Sequence, residues 1–350
     1  MRRLLFQSVL ASAFLAGCAD PFPPLPPPEE VLVVSNRTDG SLSIIPVTAP
    51  SSATVLALGV TDAGPVAALG AIAVVISPSD AQLVVVTLEG PQVMRRIPLD
   101  PGSSPQAVTI IDDSIAYVAS ADLDAVLRVN YLSGATTELA VGLHPQGLVF
   151  TRGRLFVING NLTPCGIPPT LCVAGESWIT VVDPTLNQRA AGVDSIPLPG
   201  PGNARHADVA GDGLLYVMNV GMDGISARLS IVDPVSREEV ASFGGFGTSP
   251  GPIAGDADRL FVSSRAQGLM EFDIRSRAVT RGEGDGVNVP DNSGVEVDSR
   301  GRIYAIEAGS CIGGEAGAAR VLDENLVEIR AIPLGHCPAD AAVTQFQRGE

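Results

Sequence analysis

The chain has 350 residues, of which 38 are acidic and 22 are basic, so its formal net charge is −16. An acidic chain of this kind lacks the basic surface that binds nucleic acid, and no nucleic-acid partner is expected. The 38 glycines and 28 prolines, together with few aromatic residues, favour short strands joined by many turns over helices.

The first residues have the pattern of an export signal. Arg2 and Arg3 form a basic start, and the mostly apolar segment 4–15 that follows is too short to span a membrane. The run LAGC at 15–18 resembles the lipobox of bacterial lipoproteins, in which the peptide before the cysteine is removed and the cysteine is lipidated. We therefore predict a signal peptide at 1–17 and lipidation of Cys18. An ordinary secretory signal with a chance cysteine is the alternative.

Residues 18–30 are predicted to be a tether. Six prolines between positions 21 and 28 favour an extended polyproline II conformation, which holds a domain away from a surface by about 3 Å per residue. By resemblance to enteric lipoproteins, Ala19 after the cysteine favours the outer membrane. The expected location is the bacterial cell envelope, with the chain lipid-anchored in the outer membrane and facing the periplasm.

A two-strand phrase recurs along the rest of the chain. One apolar run ends in a polar residue, and a second run ends in Asp or Asn. The pairs are LYVMN at 215–219 with LSIVDP at 229–234, FVIN at 156–159 with TVVDP at 180–184, YVAS at 117–120 with LRVN at 127–130, FVSS at 261–264 with MEFD at 270–273, and YAIE at 304–307 with RVLD at 320–323. Repetition at roughly 40–50 residues is typical of a β-propeller with one four-stranded blade per repeat.

The repeats can be aligned on one apolar or aromatic position of the second strand of each blade. That position is occupied by Val33, Val84, Tyr117, Phe156, Tyr216, Phe261 and Tyr304. We therefore predict an all-β fold, a seven-bladed β-propeller over 31–346 with a tail at 347–350. The phrases at 156–159 and 216–219 resemble YVTN repeats, and 290–304 resembles an NHL repeat. These families share a fold that has many functions, so the resemblance implies the fold alone.

The two ends of the propeller are predicted to share one blade. The first repeat begins with its second strand at Val31, whereas the segment 337–343 has the pattern of an inner strand and no repeat follows it. The C-terminal strand at 341–345 is therefore expected to be the inner strand of blade one. This arrangement removes the open edges of a linear array.

Four cysteines remain after Cys18, an even number in an exported chain. Cys165 and Cys172 lie in the long loop 160–177 of blade four. Cys311 lies in the equivalent loop of blade seven, and Cys337 precedes the closing strand. We predict disulfides 165–172 and 311–337, one of three possible pairings. A metal site formed by these cysteines is the alternative. The loop 160–177 is also the predicted contact for a partner.

Polar residues near the start of each inner strand are the candidates for ligand binding. Arg205 and His206, with Gln106 and Gln146 at the heads of neighbouring strands, suggest a patch that accepts anions. His144, His206 and His336 are each predicted to lie just before an inner strand on one face. Shared coordination of a metal and three separate rim histidines are the two interpretations, and we expect no metal or other cofactor.

A local similarity suggests an enzyme as the alternative. Asp291, Asn292 and Glu307 resemble metal-site residues of SMP-30/gluconolactonase-type propeller hydrolases, which implies hydrolysis of lactones or esters. Polar residues that end the second strands either form a ring for a ligand or satisfy turn groups. The candidate ligand-binding residues are thus Gln106, His144, Gln146, Arg205, His206, Asp291, Asn292 and Glu307.

The preferred interpretation is a monomeric, non-catalytic binding or scaffolding module of the envelope. Its membrane contact is the N-terminal lipid, and its partner is an envelope protein or glycan. No catalytic residue is assigned. The metal-dependent hydrolase is the alternative function.

Overall fold

In a computed structural model of the protein, the described residues are 27–167, 170–222 and 224–348. They form six four-stranded sheets and one five-stranded sheet, besides a separate two-stranded hairpin. The predicted all-β, seven-bladed β-propeller is confirmed. The predicted signal peptide, the predicted lipidation site Cys18 and most of the predicted tether lie outside the described residues. No helix in the described ranges is long and apolar enough to cross a membrane.

Strands are numbered in chain order, and each blade is ordered from the channel outwards. The strands of blades one to three are β1 (Glu29–Asn36), β2 (Ser41–Pro46), β3 (Thr54–Ala57), β4 (Val66–Leu69), β5 (Ile72–Ser77), β6 (Gln82–Thr87), β7 (Gln92–Pro98), β8 (Pro105–Ile110), β9 (Ile115–Ser120), β10 (Ala125–Asn130) and β11 (Thr136–Ala140). Short 3₁₀ turns occur at Pro50–Ser52 and Ala121–Leu123.

The second half of the chain follows the same scheme. Blade four also contains the hairpin of β14 and β15, and its outer strand is split into β17 and β18. The strands are β12 (Pro145–Thr151), β13 (Arg154–Asn159), β14 (Leu162–Pro164), β15 (Leu171–Val173), β16 (Ser177–Asp183), β17 (Gln188–Arg189), β18 (Ser195–Leu198), β19 (Ala204–Val209), β20 (Leu215–Asn219), β21 (Arg228–Asp233), β22 (Glu238–Phe243), β23 (Ile253–Gly255), β24 (Arg259–Ser264), β25 (Gly268–Asp273), β26 (Ala278–Arg281), β27 (Asn292–Val297), β28 (Ile303–Glu307), β29 (Ala316–Leu322), β30 (Glu328–His336) and β31 (Pro338–Phe346).

The ring closes as the sequence indicated. Strand β31 pairs antiparallel with β1 along its length, with Val33 opposite Ala342, and so forms the inner strand of blade one. Both predicted disulfides are present. Cys311–Cys337 joins blade seven to the start of the closing strand, and Cys165–Cys172 closes the hairpin β14–β15.

Apolar second strands supply the core between blades. The aligned aromatic residues Tyr117, Phe156 and Tyr216 are at most 1% exposed. The hydroxyl of Tyr216 donates to Asp212 Oδ2 at 2.9 Å, so a buried ring keeps its polar group satisfied by a turn residue. The amides that end second strands are also structural: Asn159 Nδ2 donates to the carbonyl of Trp178 and to Thr180 Oγ1.

Blade two departs from the predicted alignment. Val84 lies in β6, the third strand, whereas the second strand is β5 and ends at Ser77. Both strands are apolar runs that end in a small hydroxyl residue, IAVVIS and QLVVVT. The repeat phrase therefore fits either strand, and the number of blades is unaffected.

The propeller has two distinct faces. We call the loop face the one that carries the connections between second and third strands and those that lead into each new inner strand. The hairpin β14–β15 and the segment 308–315 both lie on this face. The opposite turn face carries the short turns between first and second strands. It also holds both described chain ends, where Arg348 pairs with Glu29.

Candidate functional site

In several blades a β-bulge lies at the start of the inner strand, at the mouth of the channel. The register between first and second strands shifts between Pro105 and Ala107 in blade three, and the same shift occurs in blades one, four, five and seven. A bulge places two residues opposite one and redirects a side chain. The bulged residue of each blade is therefore aimed differently from the regular strand positions.

These bulged positions differ between the two sides of the ring. Blades three, four and five carry long polar side chains there. The other blades carry small residues there. In blades two and six the corresponding residues are Gly64 and Gly251, which are identified by the hydrogen bonds that their amides donate to Ile76 O and Ser263 O. The seven residues in blade order one to seven are Ala339, Gly64, Gln106, Gln146, Arg205, Gly251 and Ser293. Three adjacent blades thus concentrate hydrogen-bonding groups on one side of the mouth.

The three long side chains are held to different degrees. Gln146 Nε2 donates to Asn203 Oδ1 at 2.6 Å, and Asn203 in turn donates to Gly221 O at 2.8 Å. Gln106 Nε2 makes only longer bonds to Ser104, at 3.3 Å. The guanidinium of Arg205 forms no hydrogen bond or ion pair with any described residue, although burial and the charge of Arg37 lower its pKa. Arg205 is therefore a cation available to a ligand.

The hairpin β14–β15 lies over this group. It begins at Asn161, whose carbonyl accepts from Ala174 N at 2.9 Å, and its two short strands pair only with each other. The Cys165–Cys172 disulfide closes it. Leu162 and Leu171 line the space beneath it. A segment this short has little stability of its own, so the disulfide restricts the conformations that would otherwise be lost on binding.

Between the polar side chains at the bulged positions, which form the floor, and the hairpin β14–β15, which forms the roof, lies a cavity of about 790 Å³. We call it the mouth cavity. Such a volume falls within the roughly 300–1,000 Å³ of sites that enclose a drug-sized ligand. Its described lining combines polar groups with apolar groups of the hairpin, and includes Ser104, Gln106, Asp122, His144, Gln146, Leu162, Leu171, Asn203, Arg205 and Met222. Two sequence predictions, the patch near the inner strands and the loop 160–177, therefore meet in one place.

His144 belongs to the mouth cavity and also has a structural role. It adopts a φ of +52°, and its amide donates to Asp124 Oδ1 at 2.8 Å. Residues with positive φ recur before inner strands, as at Ser104, Asn203 and Asp291, so this place in the repeat requires a tight turn. Burial lowers the pKa of His144. The imidazole is therefore neutral near pH 7 and offers one donor and one acceptor.

The channel below the mouth contains acids that the sequence patterns did not single out. Asp208, Glu296 and Asp340 project from inner strands and line a space of about 360 Å³ with Arg37 and His206. Asp208 Oδ2 accepts from Gly255 N at 2.8 Å, and Asp340 Oδ2 accepts from Val66 N at 2.9 Å, so both link adjacent blades. Burial raises the pKa of Asp208 and of Asp340 to about 6.

The other two histidines do not line the mouth cavity. His206 is inside β19 rather than before it, and burial with the adjacent Arg205 lowers its pKa to about 3. His336 ends β30, the outer strand of blade seven, where its Nδ1 lies 3.4 Å from Asp39 Oδ2. The expectation that all three precede inner strands is wrong for His206, because β19 begins at Ala204, whereas His336 lies two residues before the inner strand β31 as expected. In the described ranges, no group of three or more His, Cys, Asp or Glu is arranged to hold a metal.

The residues of the enzymatic alternative are neighbours, since Asn292 lies opposite Glu307 across β27 and β28, but their side chains are engaged with different partners. Asn292 is buried and its Nδ2 donates to Gly268 O at 3.0 Å, which joins blades seven and six. Glu307 accepts from Arg320 Nε at 2.7 Å. Asp291 is exposed, 4.0 Å from Arg265. Asp291 and Glu307 line a separate hollow of about 420 Å³ beside Cys311.

Comparison with known proteins gives the fold. No protein-family model matches the chain, and none of the curated proteins compared with it matches either. Solved structures do match. A functionally unknown protein from Desulfotomaculum acetoxidans is 13% identical at a TM-score of 0.65, over 90% of this chain and 98% of that one. Kuenenia stuttgartiensis hydrazine synthase is 14% identical at 0.62, over 80% and 89%. Virginiamycin B lyase from Staphylococcus aureus is 12% identical at 0.60, over 78% and 86%. The likeness is one of fold.

The arrangement suits recognition more directly than chemistry. Beneath the apolar residues of the hairpin, the mouth cavity offers an unpaired guanidinium, the carboxamides of Gln106 and Gln146, a neutral imidazole and the carboxylate of Asp122. These groups hold and orient a ligand by hydrogen bonds and charge. Asn203 completes the set, and Arg37 lines the adjoining channel; neither was identified from the sequence. Asn203 stands at the recurring turn position before an inner strand, which is the signal that would have found it.

Proposed function

We propose that this protein is a non-catalytic binding or scaffolding module of the bacterial cell envelope. It acts as a monomer, lipid-anchored at Cys18 in the outer membrane and facing the periplasm, and belongs to the YVTN/NHL type of repeat propeller. Its mouth cavity takes up a segment of an envelope protein or glycan.

One observation carries the proposal. The long polar residues at the bulged positions occur on three adjacent blades, and the disulfide-closed hairpin covers that same side. Arg205 is exposed at the mouth and forms no hydrogen bond or ion pair with a described residue, so a scaffold that needed only closure has no use for it there. The asymmetry therefore supports a ligand at the mouth.

The hairpin provides the test. Because Asn161 O accepts from Ala174 N, residues 162–173 can be replaced by an Asn-Gly turn without disturbing β13 or β16. A photoreactive amino acid is placed at Met222, which lines the cavity outside the hairpin. We expect one discrete crosslinked product in intact cells with the parent and loss of that product in the hairpin replacement. The melting temperature should be nearly unchanged.

The matched control places the photoreactive residue at Val327, an exposed position on the turn face. It should not yield the same product. A Met222 product of equal yield with and without the hairpin, in a folded protein, contradicts the proposal. So does a product of the same mass from Val327.

No observation favours the metal-dependent hydrolase. Its residues Asn292 and Glu307 are engaged in an inter-blade hydrogen bond and an ion pair, respectively. A bound metal that is stoichiometric, and whose removal abolishes hydrolysis of lactones, would favour this alternative.

A further inference from the structure

We infer that the mouth cavity recognises an acidic peptide segment, with a carboxylate placed at Arg205 and Arg37 and the adjoining backbone amides at Gln106 and Gln146. This inference rests on the proposed function and names the chemical class of its ligand. The carboxylate belongs either to a chain end or to an Asp or Glu side chain.

The first argument is the charge at the mouth. Arg205 and Arg37 lie close enough for each charge to act on the other, and neither guanidinium forms a hydrogen bond or ion pair with a described residue. Like charges held together without a partner repel, whereas an anion between them gains two cations at once. Asp122 lines the same cavity, but within the part of the chain that the structure describes it forms no ion pair with Arg205, so the guanidinium remains available to a ligand.

The acids below do not occupy this position. Asp340 interacts with Arg37 but its Oδ2 accepts from Val66 N, and Asp208 is bonded to Gly255 N. Both have a raised pKa because they are buried. An anionic ligand is therefore held at the mouth, above the acids, and is repelled from the deeper channel.

The second argument is the pair of carboxamides. Gln106 and Gln146 each offer a donor and an acceptor, which is the combination that a peptide group presents in return. Gln106 makes only long local bonds, and Gln146 has an acceptor oxygen that no described residue uses. Side by side on adjacent blades, they match an extended backbone that leads away from the carboxylate.

The third argument separates a peptide from a glycan. Leu162 and Leu171 of the hairpin, together with Met222 outside it, line the cavity, and no Phe, Tyr or Trp is among the described lining residues. Aliphatic side chains of a peptide bury well against such a surface. Sugar rings commonly stack on aromatic faces, which this cavity does not provide.

Short acetylated peptides test the inference. Three pools with otherwise random neutral residues are compared: one with a free C-terminal carboxylate, one amidated with a single Asp, and one amidated and neutral. Trigalacturonic acid is the acidic glycan probe. We expect affinity selection on the parent protein to enrich one or both carboxylate pools over the neutral pool, and the more enriched pool identifies the source of the carboxylate.

The best peptide is then titrated against variants by fluorescence anisotropy. Arg205→Gln should weaken binding about tenfold or more, the usual loss for a charge-assisted hydrogen bond. Arg205→Lys keeps the charge but loses the planar set of guanidinium donors, and Arg37→Gln removes the second cation. Both variants should weaken binding, and they test the inference even if Arg205→Gln does not fold. The matched control Arg300→Gln changes an exposed arginine on the turn face and should bind as the parent does.

Equal enrichment of the neutral pool, no enrichment of any pool, binding of trigalacturonic acid alone, or full affinity in both Arg205→Lys and Arg37→Gln overturns the inference. The photoreactive Met222 experiment distinguishes failure of the inferred ligand class from failure of the proposed binding role. A hairpin-dependent product in cells with no peptide binding refutes the ligand class and leaves the binding role. A product that forms equally without the hairpin refutes the role itself.

Discussion

Gln146 owes its position at the channel mouth to the absence of a neighbouring side chain. A Cβ at Gly160 would lie 2.2 Å from Gln146 Nε2, and a Cβ at Gly147 would lie 2.4 Å from Arg205 O. Neither glycine has a positive φ, so close approach rather than turn geometry requires them. The two glycines let blades four and five bring Gln146 and Arg205 together beneath the hairpin.

The channel acids make the stability of the fold depend on pH. The pKa of Asp208 and of Asp340 is raised from 3.8 to about 6, first because they are buried. Burial, followed by the charges of Asp208 and Asp340, raises the pKa of Glu296, while Arg37 acts to lower the pKa of Asp340. A carboxyl group whose pKa is higher in the folded state than in the unfolded state stabilises the fold fully below the unfolded-state pKa of 3.8. This stability is lost as the pH rises through the folded-state pKa of about 6.

Asp208→Asn tests this dependence. The amide resembles the protonated acid, so the variant lacks the charge that opposes folding at neutral pH. We expect its melting temperature relative to the parent to rise between about pH 4 and about pH 7. Asp113→Asn, at an exposed turn, is the matched control and should show a constant difference. A constant difference for Asp208→Asn as well would rule out the proposed effect of burial.

At the scale of elements, the two disulfides have different roles. Cys311–Cys337 fastens the blade-seven loop to β31, whose other edge contacts solvent in the channel and whose paired edge completes blade one. Cys165–Cys172 closes a hairpin that pairs with no blade strand. Loss of the first bond therefore releases ring closure, whereas loss of the second releases only the roof of the mouth cavity.

Paired serine variants separate these roles. Cys311→Ser with Cys337→Ser should lower the free energy of unfolding by about 3 kcal/mol, the usual scale for a disulfide. Cys165→Ser with Cys172→Ser should leave the unfolding midpoint nearly unchanged but weaken ligand binding. Denaturant unfolding measures both. Equal loss of stability in the two double variants would show that the hairpin supports the propeller.

The sequence predicts the number of blades and the closure of the ring better than it predicts the order of strands within a blade or the direction of their side chains. The repeats gave the blade count, and the spare strand at 337–343 gave the closure. In blade two, however, β5 and β6 carry nearly the same pattern, so the strand could not be assigned. The channel acids were missed because a bulge shifts strand alternation, and a shift of one residue exchanges the two faces of a strand.

The candidate site was predicted as two separate features. Gln106, Gln146 and Arg205 were placed near the heads of inner strands, and the loop 160–177 was placed on the same face. No pattern gives the direction in which a long loop folds, since its own hairpin pairing and its contacts with blade five decide that. Val173, for example, packs beside Gly202, where a Cβ would lie 2.5 Å from its Cγ1.

At the scale of the whole molecule, the mouth cavity and the N-terminal end of the described chain lie on opposite faces. The first described strand begins at Glu29 on the turn face, where Arg348 pairs with it, whereas the hairpin covers the loop face. If Cys18 carries lipid, the proline-rich tether enters from the turn face. The cavity would then point away from the membrane and into the periplasm.

This orientation can be measured on the lipidated protein in vesicles that contain a headgroup quencher. A fluorophore at position 300, introduced by Arg300→Cys on the turn face, should be quenched more strongly than one at position 170, introduced by Thr170→Cys in the hairpin. Quenching falls steeply with distance, and a tether of about 3 Å per residue keeps the attached face nearer the lipid. The Cys18→Ser protein, which cannot be lipidated, should show quenching at neither position. Stronger quenching at position 170 would place the cavity against the membrane and exclude access from the periplasm.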